Sequence, residues 1–493
     1  MPTGTQPRFA VIGAGMSGIL SAIKLRRAGY DFTVFEKADR VGGTWRENTY
    51  PGIACDVPSH LYSYSFELNP DWRYMSSPGD EIQGYFEGVT KRYGLEDSIR
   101  FGEAVVRCEW QPAAGGGGCW EVESSSGFTD HFEWLVAATG ILHHPKFPEI
   151  EGLDSFAGTM FHSARWDHDV ALDGRRVGVI GNGSSGVQIT GALAERASHF
   201  SLFQRTAQWV VPVEQIAYTD EQRKAFRNDP AQLQAIHQEL STTFHDGFAN
   251  IVLDGDSSAI DAIEQVCTEY LDTQVTDPEL RENLRPDYRA ACKRLVISHN
   301  FYDAIQSESA ELVTASIERI EPAGVRTTDG RLHELDVLVL ATGFHVDRFV
   351  RPMTIRGHEG VLLDDVWKHR PSAYMAVNVP GFPNFLMLNG PNSPVGNFSL
   401  IMTAEMQFEY LMKLVDHVKQ GDLPCAMPTR EAADRFEDER MEAAKNTVWA
   451  TGCNSWYLDD RGIPFAWPFP ITRFRSEMEK PRLEDYDPPQ RAA

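Results

Sequence analysis

RFAVIGAGMSGILSAIKLRRAGYDFTVFEK, residues Arg8 to Lys37, decides how the rest of the chain is read. An apolar run from Phe9 to Ile12 predicts a buried strand, and it enters Gly13-x-Gly15-x-x-Gly18 directly. Apolar residues at helical spacing continue through Leu25, and a second strand, Phe32 to Phe35, ends at Glu36. Glycines there permit a tight turn, close approach to a pyrophosphate and close packing of helix on strand. The helix N-terminus adds free N–H groups and positive potential, and a carboxylate at Glu36 is placed to accept from a ribose diol. The glycines alone say little; together with strand, helix and acid they predict a dinucleotide site.

The pattern recurs in DGRRVGVIGNGSSGVQITGALAERASHFSLFQRT, residues Asp173 to Thr206. A strand Val177 to Ile180 leads into Gly181-x-Gly183-x-x-Gly186, a helix and a second strand Phe200 to Phe203. One place differs: where the first copy ends in Glu36, this one ends in Gln204-Arg205-Thr206. An acid would repel a 2′-phosphate, whereas Arg205 and the Thr206 hydroxyl can bind one, so this unit is read as a site for NADPH. Each unit is followed by a hairpin-like region and an apolar strand ending in Ala-Thr-Gly, at Gly140 and Gly343. Two different dinucleotide sites in one chain imply electron transfer between cofactors, from NADPH to FAD.

The expected fold class is α/β, with two Rossmann-like domains and a helical insertion. Residues 1–145 and 345–493 are assigned to the FAD domain and its C-terminal tail, 146–212 and 291–344 to the NADPH domain, and 213–290 to the insertion. A chain of 493 residues suits several cores. Its net charge of −24 opposes binding to nucleic acid or an anionic membrane except through a local basic site. No apolar run approaches the ~20 residues that cross a bilayer, and the start lacks the basic flank of a signal peptide, so a cytoplasmic protein is expected. Seven scattered Cys form no CxxC pair or ligand cluster; they are read as buried free thiols, which argues against a disulfide reductase, and no metal site is expected. Gly115 to Gly118 is read as a hairpin loop and EKPRLEDYDPPQRAA as a loosely held tail.

After Glu36 comes VGGTWRENTYPGIACDVPSHLYSYSF, in which Gly42 and Gly43 can let backbone approach a ligand, Trp45 can cover a ring, and Asp56 and Tyr62 can present polar atoms. FAGTMFHSARWD, Phe156 to Asp167, has the form Phe-x-Gly-x-x-x-His-x-x-x-Trp-Asp. It resembles the fingerprint of type I Baeyer–Villiger monooxygenases, through Phe156, Gly158, His162, Trp166 and Asp167. GGTWRENTYPGIACD resembles that family's second signature, and related heteroatom-oxidising flavin enzymes typically carry an aromatic and a basic residue in place of Trp166-Asp167.

The resemblance implies that Arg294 is the active-site arginine, held by Asp56, with Lys293 reaching the 2′-phosphate of NADPH. His162 is expected to position a joint between the domains. Asn389 would turn close to the flavin, and Trp456 would contact the nicotinamide half of NADPH. Ser17, Thr44, Ser184, Ser185 and Gln188 complete the candidate cofactor contacts. A guanidinium beside a flavin peroxide stabilises that anion while it attacks a ketone, giving an ester or lactone. The alternatives are a flavin monooxygenase that oxidises sulfur or nitrogen and an NADPH-dependent flavin reductase serving a partner. The expected partners are a small ketone and O2, without nucleic acid, membrane or an obligatory protein.

Overall fold

A computed structural model of the chain describes residues 6–113, 117–244, 247, 250–254, 257–396, 398–459 and 461–486. Two five-stranded parallel sheets carry the fold. In the first, Arg8–Ile12 lies in the middle, with Asp31–Glu36 and then Ile99–Phe101 on one side and Trp134–Ala137 and then Phe385–Met387 on the other. In the second, Arg176–Ile180 is central, flanked by His199–Phe203 and Ala310–Val313 on one side and Val337–Leu340 and Thr159–His162 on the other. The two sheets repeat one plan: a glycine turn leaves the central strand, and the strand before Ala-Thr-Gly lies beside it. Side chains of Phe9, Val11, Val177, Val179, Val337 and Val339 are fully or nearly fully buried, as strands covered on both faces require.

The chain enters each sheet more than once. It builds most of the first sheet, crosses to supply the edge strand Thr159–His162 of the second, completes that sheet at Val337–Leu340, and returns with Phe385–Met387. A three-stranded antiparallel sheet and a four-stranded mixed sheet, in which Thr354–Arg356 runs parallel to Val105–Pro112 beside an antiparallel hairpin, accompany the two parallel ones. Strands Val105–Pro112 and Gly118–Ser124 pair antiparallel, so Gly118 opens a strand, and residues 114–116 of the loop expected at Gly115 to Gly118 lie outside the described ones.

Helical spacing after Arg205 yields Asp220–Asn228, Pro230–Thr243, Ser258–Gln274 and Pro278–Asn283. Each starts on a side-chain cap: Thr219 in a capping box with Gln222, then Asp229, Ser257 and Asp277. The insertion packs back on the first half of the chain, where His237 Nδ1 meets the His60 carbonyl at 2.8 Å and Phe226 packs on His60. Among the described residues no helix is long and apolar enough to cross a membrane, and no group of three His, Cys, Asp or Glu could hold a metal ion.

Two expectations are corrected. Cys292 and Cys453, 161 residues apart in sequence, are joined in a disulfide, while Cys55, Cys108, Cys119, Cys267 and Cys425 are free thiols. Sequence spacing could not reveal a pair made by tertiary folding. The tail is firmly held as far as Tyr486, which is 1% exposed and hydrogen-bonds Asn378 and Tyr410. Aromatic burial overrides the polar composition of that segment, and residues 487–493 lie outside the described ones.

Both glycine turns depend on contact between backbones. A Cβ on Gly18 would lie 1.8 Å from the Gly13 carbonyl oxygen, and one on Gly186 would lie 1.9 Å from that of Gly181. Gly84, inside a helix with open space around it, has no such contact. Gly18→Ala is therefore expected to destabilise the chain by about 1–3 kcal/mol through overpacking. Gly84→Ala should be neutral or slightly stabilising. Calorimetric melting of the two variants checks this, and equal midpoints would contradict the packing argument.

Candidate active site

The first glycine turn is equipped to receive an anion. Gly15 caps the helix Met16–Arg27, no side chain caps its N-terminus, and its first turn contains no acid. Asn389 donates its side-chain N–H to Ser17 Oγ at 3.1 Å and its backbone N–H to the Gln407 side-chain oxygen at 2.7 Å. Its amide oxygen is buried without a partner, as expected of a group that a ligand satisfies. Glu36 is 4% exposed and accepts the Ala14 N–H at 2.7 Å, so its carboxylate closes the turn from below. These residues fit a bound dinucleotide.

Gly43 and Thr44 begin the short helix Thr44–Glu47, and the Trp45 indole N–H donates to the Tyr62 hydroxyl at 3.1 Å. Burial pushes the Tyr62 phenol well above its ordinary value, which keeps it neutral. The following loop locks onto the second unit. The Tyr50 hydroxyl receives a bond from Ser185 at 3.1 Å and donates to Gln188 at 2.9 Å, while Gln188 donates to the Ala54 carbonyl. Ser185 and Gln188 therefore join the two halves across the glycine turn.

The second turn has the same uncapped helix start at Gly183, before Ser184–Leu193, again without an acid in the first turn. Asn182 donates to Gln204 and to the Thr206 carbonyl, fixing the strand end that carries Arg205. Lys293 lies over the Tyr288 ring at 4.3 Å, and burial together with the nearby charge of Arg205 lowers its pKa. Among the described residues neither Arg205 nor Lys293 has a carboxylate within ion-pair distance. The carboxylate of Asp287 acts on Lys293 more weakly than Arg205 does, so the two cations keep a net positive field that fits a phosphate.

Asp56 and Arg294 are separated by 238 positions and meet directly, Nε donating to Oδ2 at 3.0 Å and a second N–H donating to the same oxygen. The charge of Asp56 outweighs burial and holds the guanidinium pKa well above its already high ordinary value. Another guanidinium N–H faces the Gly396 carbonyl at 3.4 Å. Tyr457, the neighbour of Trp456 in sequence, is buried and lines the same small pocket as Arg294; no spacing rule could have found it. Trp456 itself is 37% exposed and stacks on Tyr457 with centroids 4.1 Å apart.

Arg294 borders a small pocket of 20 Å³ with apolar walls that include Ile251, Val252, Leu295, Val395 and Trp449. Asp56 borders a cavity of 760 Å³ that also touches Trp45, Tyr50, Gln83, Gln188 and Asn300 but not Arg294. The ion pair stands between them. The larger space is lined also by Arg40, Asp80 and Glu87, whereas Arg294 borders only the smaller one. The disulfide lies at this point too, with Cys292 two residues before Arg294 and Cys453 three before Trp456.

The fingerprint residues do not converge on this pair. Phe156 lies over Gly158, where a Cβ would meet the Asp336 carbonyl oxygen at 2.5 Å and the Phe156 ring at 2.6 Å. His162 ends the edge strand, accepts the Ala164 N–H through Nδ1, and packs between Phe147 and Phe344. Trp166 stands edge-on to Phe161, and Asp167 caps a turn by accepting the Asp169 N–H. The motif shapes the crossing between sheets, with His162 as a buried joint.

A sequence profile of the flavin-binding monooxygenase-like family matches residues 6–225. An uncharacterized monooxygenase of Mycobacterium tuberculosis is 47% identical over 98% of the chain and 97% of its own length. A Baeyer–Villiger monooxygenase of Streptomyces coelicolor is 38% identical over 97% of the chain and 92% of its own length. The crystal structure of cyclohexanone monooxygenase from Rhodococcus sp. Phi1 bound to NADP+ superposes with a TM-score of 0.84 at 31% identity, covering 96% of this chain and 97% of that one.

Burial presses the pKa of His162 down to about 4, and burial with the charge of His144 does the same to His143. Unfolded histidine titrates near 6.5, approximately, so protonation favours the unfolded chain. The stability these neutral rings contribute is complete above that value and is lost as pH falls toward 4. The loss is at most about 1.4 kcal/mol per pH unit and histidine. Unfolding measured between pH 6.5 and 4.5 should show a shallower slope for His162→Gln than for the parent chain, the carboxylates contributing equally to both. Identical slopes would contradict a neutral buried His162.

Proposed function

The chain belongs to the flavin-binding monooxygenase-like family and, within it, to the type I Baeyer–Villiger monooxygenases; on that premise we propose that it inserts one oxygen atom from O2 beside the carbonyl of an apolar ketone. It is an enzyme that uses FAD and NADPH. The balance is ketone, O2, NADPH and a proton giving ester or lactone, NADP+ and water. The observation that carries this reading is the Asp56–Arg294 pair beside an apolar-walled pocket.

When bound, FAD reduced by NADPH supplies the activation of O2 to a nucleophilic oxygen. The helix start at Gly15 and Ser17 would hold the FAD pyrophosphate and Glu36 its ribose, with Thr44, Trp45, Tyr62 and Asn389 as further FAD contacts. Gly183, Ser184, Ser185 and Gln188 would hold the NADPH pyrophosphate, Arg205, Thr206 and Lys293 its 2′-phosphate, and Trp456 the nicotinamide end. Arg294 directs permanently charged N–H donors at the oxygen on which negative charge develops. Asp56 is a positioning residue: it fixes the guanidinium plane and limits its motion. His162, neutral near pH 7, holds the joint rather than moving a proton. Ile251, Val252, Leu295 and Val395 line the 20 Å³ pocket beside Arg294 and shield its guanidinium from water.

Mass analysis of products from the protein with NADPH, O2, a panel of linear, cyclic and aryl ketones and one thioether tests the reading. Ester or lactone heavier than its ketone by one oxygen is expected; peroxide alone, or sulfoxide alone, would refute it. Arg294→Ala should keep FAD bound and reducible yet lose ester formation by roughly 100-fold or more. An undiminished yield would remove Arg294 from the chemistry. Loss of one charge-assisted contact in Arg205→Ala should raise the KM for NADPH about 10- to 100-fold and leave that for NADH nearly unchanged. Equal changes for both would refute the phosphate assignment.

A further inference from the structure

Four side chains form a continuous line of alternating charge from the second sheet to Glu36. Arg165 closes the turn Ser163–Arg165 that follows the edge strand Thr159–His162, and its guanidinium donates to Glu47 Oε2 at 2.7 Å. The other Glu47 oxygen takes an N–H of Arg46 at 2.5 Å. Arg46 in turn donates to Glu36 Oε1 at 2.9 Å and to the Arg40 carbonyl at 2.8 Å. Glu36 completes its set with the N–H groups of Ala14 at 2.7 Å and Ala38 at 3.0 Å.

The middle of this line is dry. The side chains of Arg46 and Glu36 are 7% and 5% exposed, Glu47 is 16% exposed, and only Arg165 reaches solvent, at 47%. Burial works against charge on Glu47, but the Arg46 hydrogen bond and the charge of Arg165 overcome it and hold its carboxyl below the ordinary range. Lys37, at 4.0 Å from Glu47, adds a weaker positive neighbour. Removing one member of such a row leaves its neighbour buried and uncompensated, so the remaining groups must shift.

We propose that Arg165, Glu47 and Arg46 are positioning residues through which the second sheet fixes the Glu36 carboxylate and with it the grip on the FAD ribose. This rests on the reading that FAD occupies the first glycine turn. It gives the fingerprint segment a task that none of its patterned residues performs: the turn between His162 and Trp166 presents Arg165 to the FAD half. The crossing of the chain between sheets is thereby tied to cofactor retention rather than to the oxygen chemistry at Arg294.

The test is the rate of FAD release from the purified holoenzyme, followed by the rise in flavin fluorescence on dilution, with NADP+ affinity measured in parallel. Glu47→Gln, of equal size, should release FAD about tenfold faster, and Arg165→Met about threefold faster, with NADP+ affinity changed less than about twofold. The double variant should be no worse than Glu47→Gln alone, because one chain is already cut, and Arg165→Lys should restore most of the retention. Parent-like release in all variants would overturn the relay, as would multiplying single effects or an equal loss of NADP+ affinity, which marks a general structural role. A parent protein that purifies without FAD would instead overturn the reading beneath it; a parent that retains FAD beside unaffected variants would overturn the relay alone.

Discussion

The meeting of Asp56 with Arg294 constrains everything near the candidate active site. One residue lies in the loop that follows the first glycine turn, the other beyond the whole helical insertion, and the direct bond between them spans 238 positions. The pair is partly exposed, at 33% for Arg294 and 22% for Asp56, so its net worth to folding is modest. Its use is orientation. A guanidinium held on one carboxylate oxygen, with Gly396 and Tyr457 on its remaining sides, has little freedom to turn away from the pocket it borders.

That arrangement needs both sheets to be placed accurately against each other. Direct locks between them include the hydroxyl of Tyr50 between Ser185 and Gln188 and the bond from Arg165 to Glu47. The disulfide between Cys292 and Cys453 adds a covalent tie beside Arg294, joining its loop to the segment of Trp456 and Tyr457. Each of these ties joins residues more than a hundred positions apart, so none forms within a single local element. The site is therefore a property of the assembled pair of sheets rather than of either glycine motif alone.

Much of this was legible in the sequence because local rules carry it. Gly13 to Glu36 and Gly181 to Thr206 each state strand, turn, helix and strand in order, and the structure gives Arg8–Ile12 and Arg176–Ile180 as the central strands. Arg294, Asp56 and Lys293 were legible only through family likeness, since a Lys-Arg pair on its own reads as surface. The disulfide, the Tyr457 contact and the docked Tyr486 were not legible, because each joins residues distant in sequence and no local pattern encodes the partner. Trp456 was the more conspicuous aromatic of its pair, yet burial chose Tyr457 to face Arg294.

The central claim concerns where one oxygen atom goes, and isotope labelling follows it most directly. The enzyme would be turned over with NADPH and a cyclic ketone under 18O2 in ordinary water, and the lactone examined by mass spectrometry with fragmentation. The account predicts a single heavy oxygen, in the ring position between the former carbonyl carbon and the migrated carbon. A lactone without label, or product labelled only when the water is heavy, would contradict it.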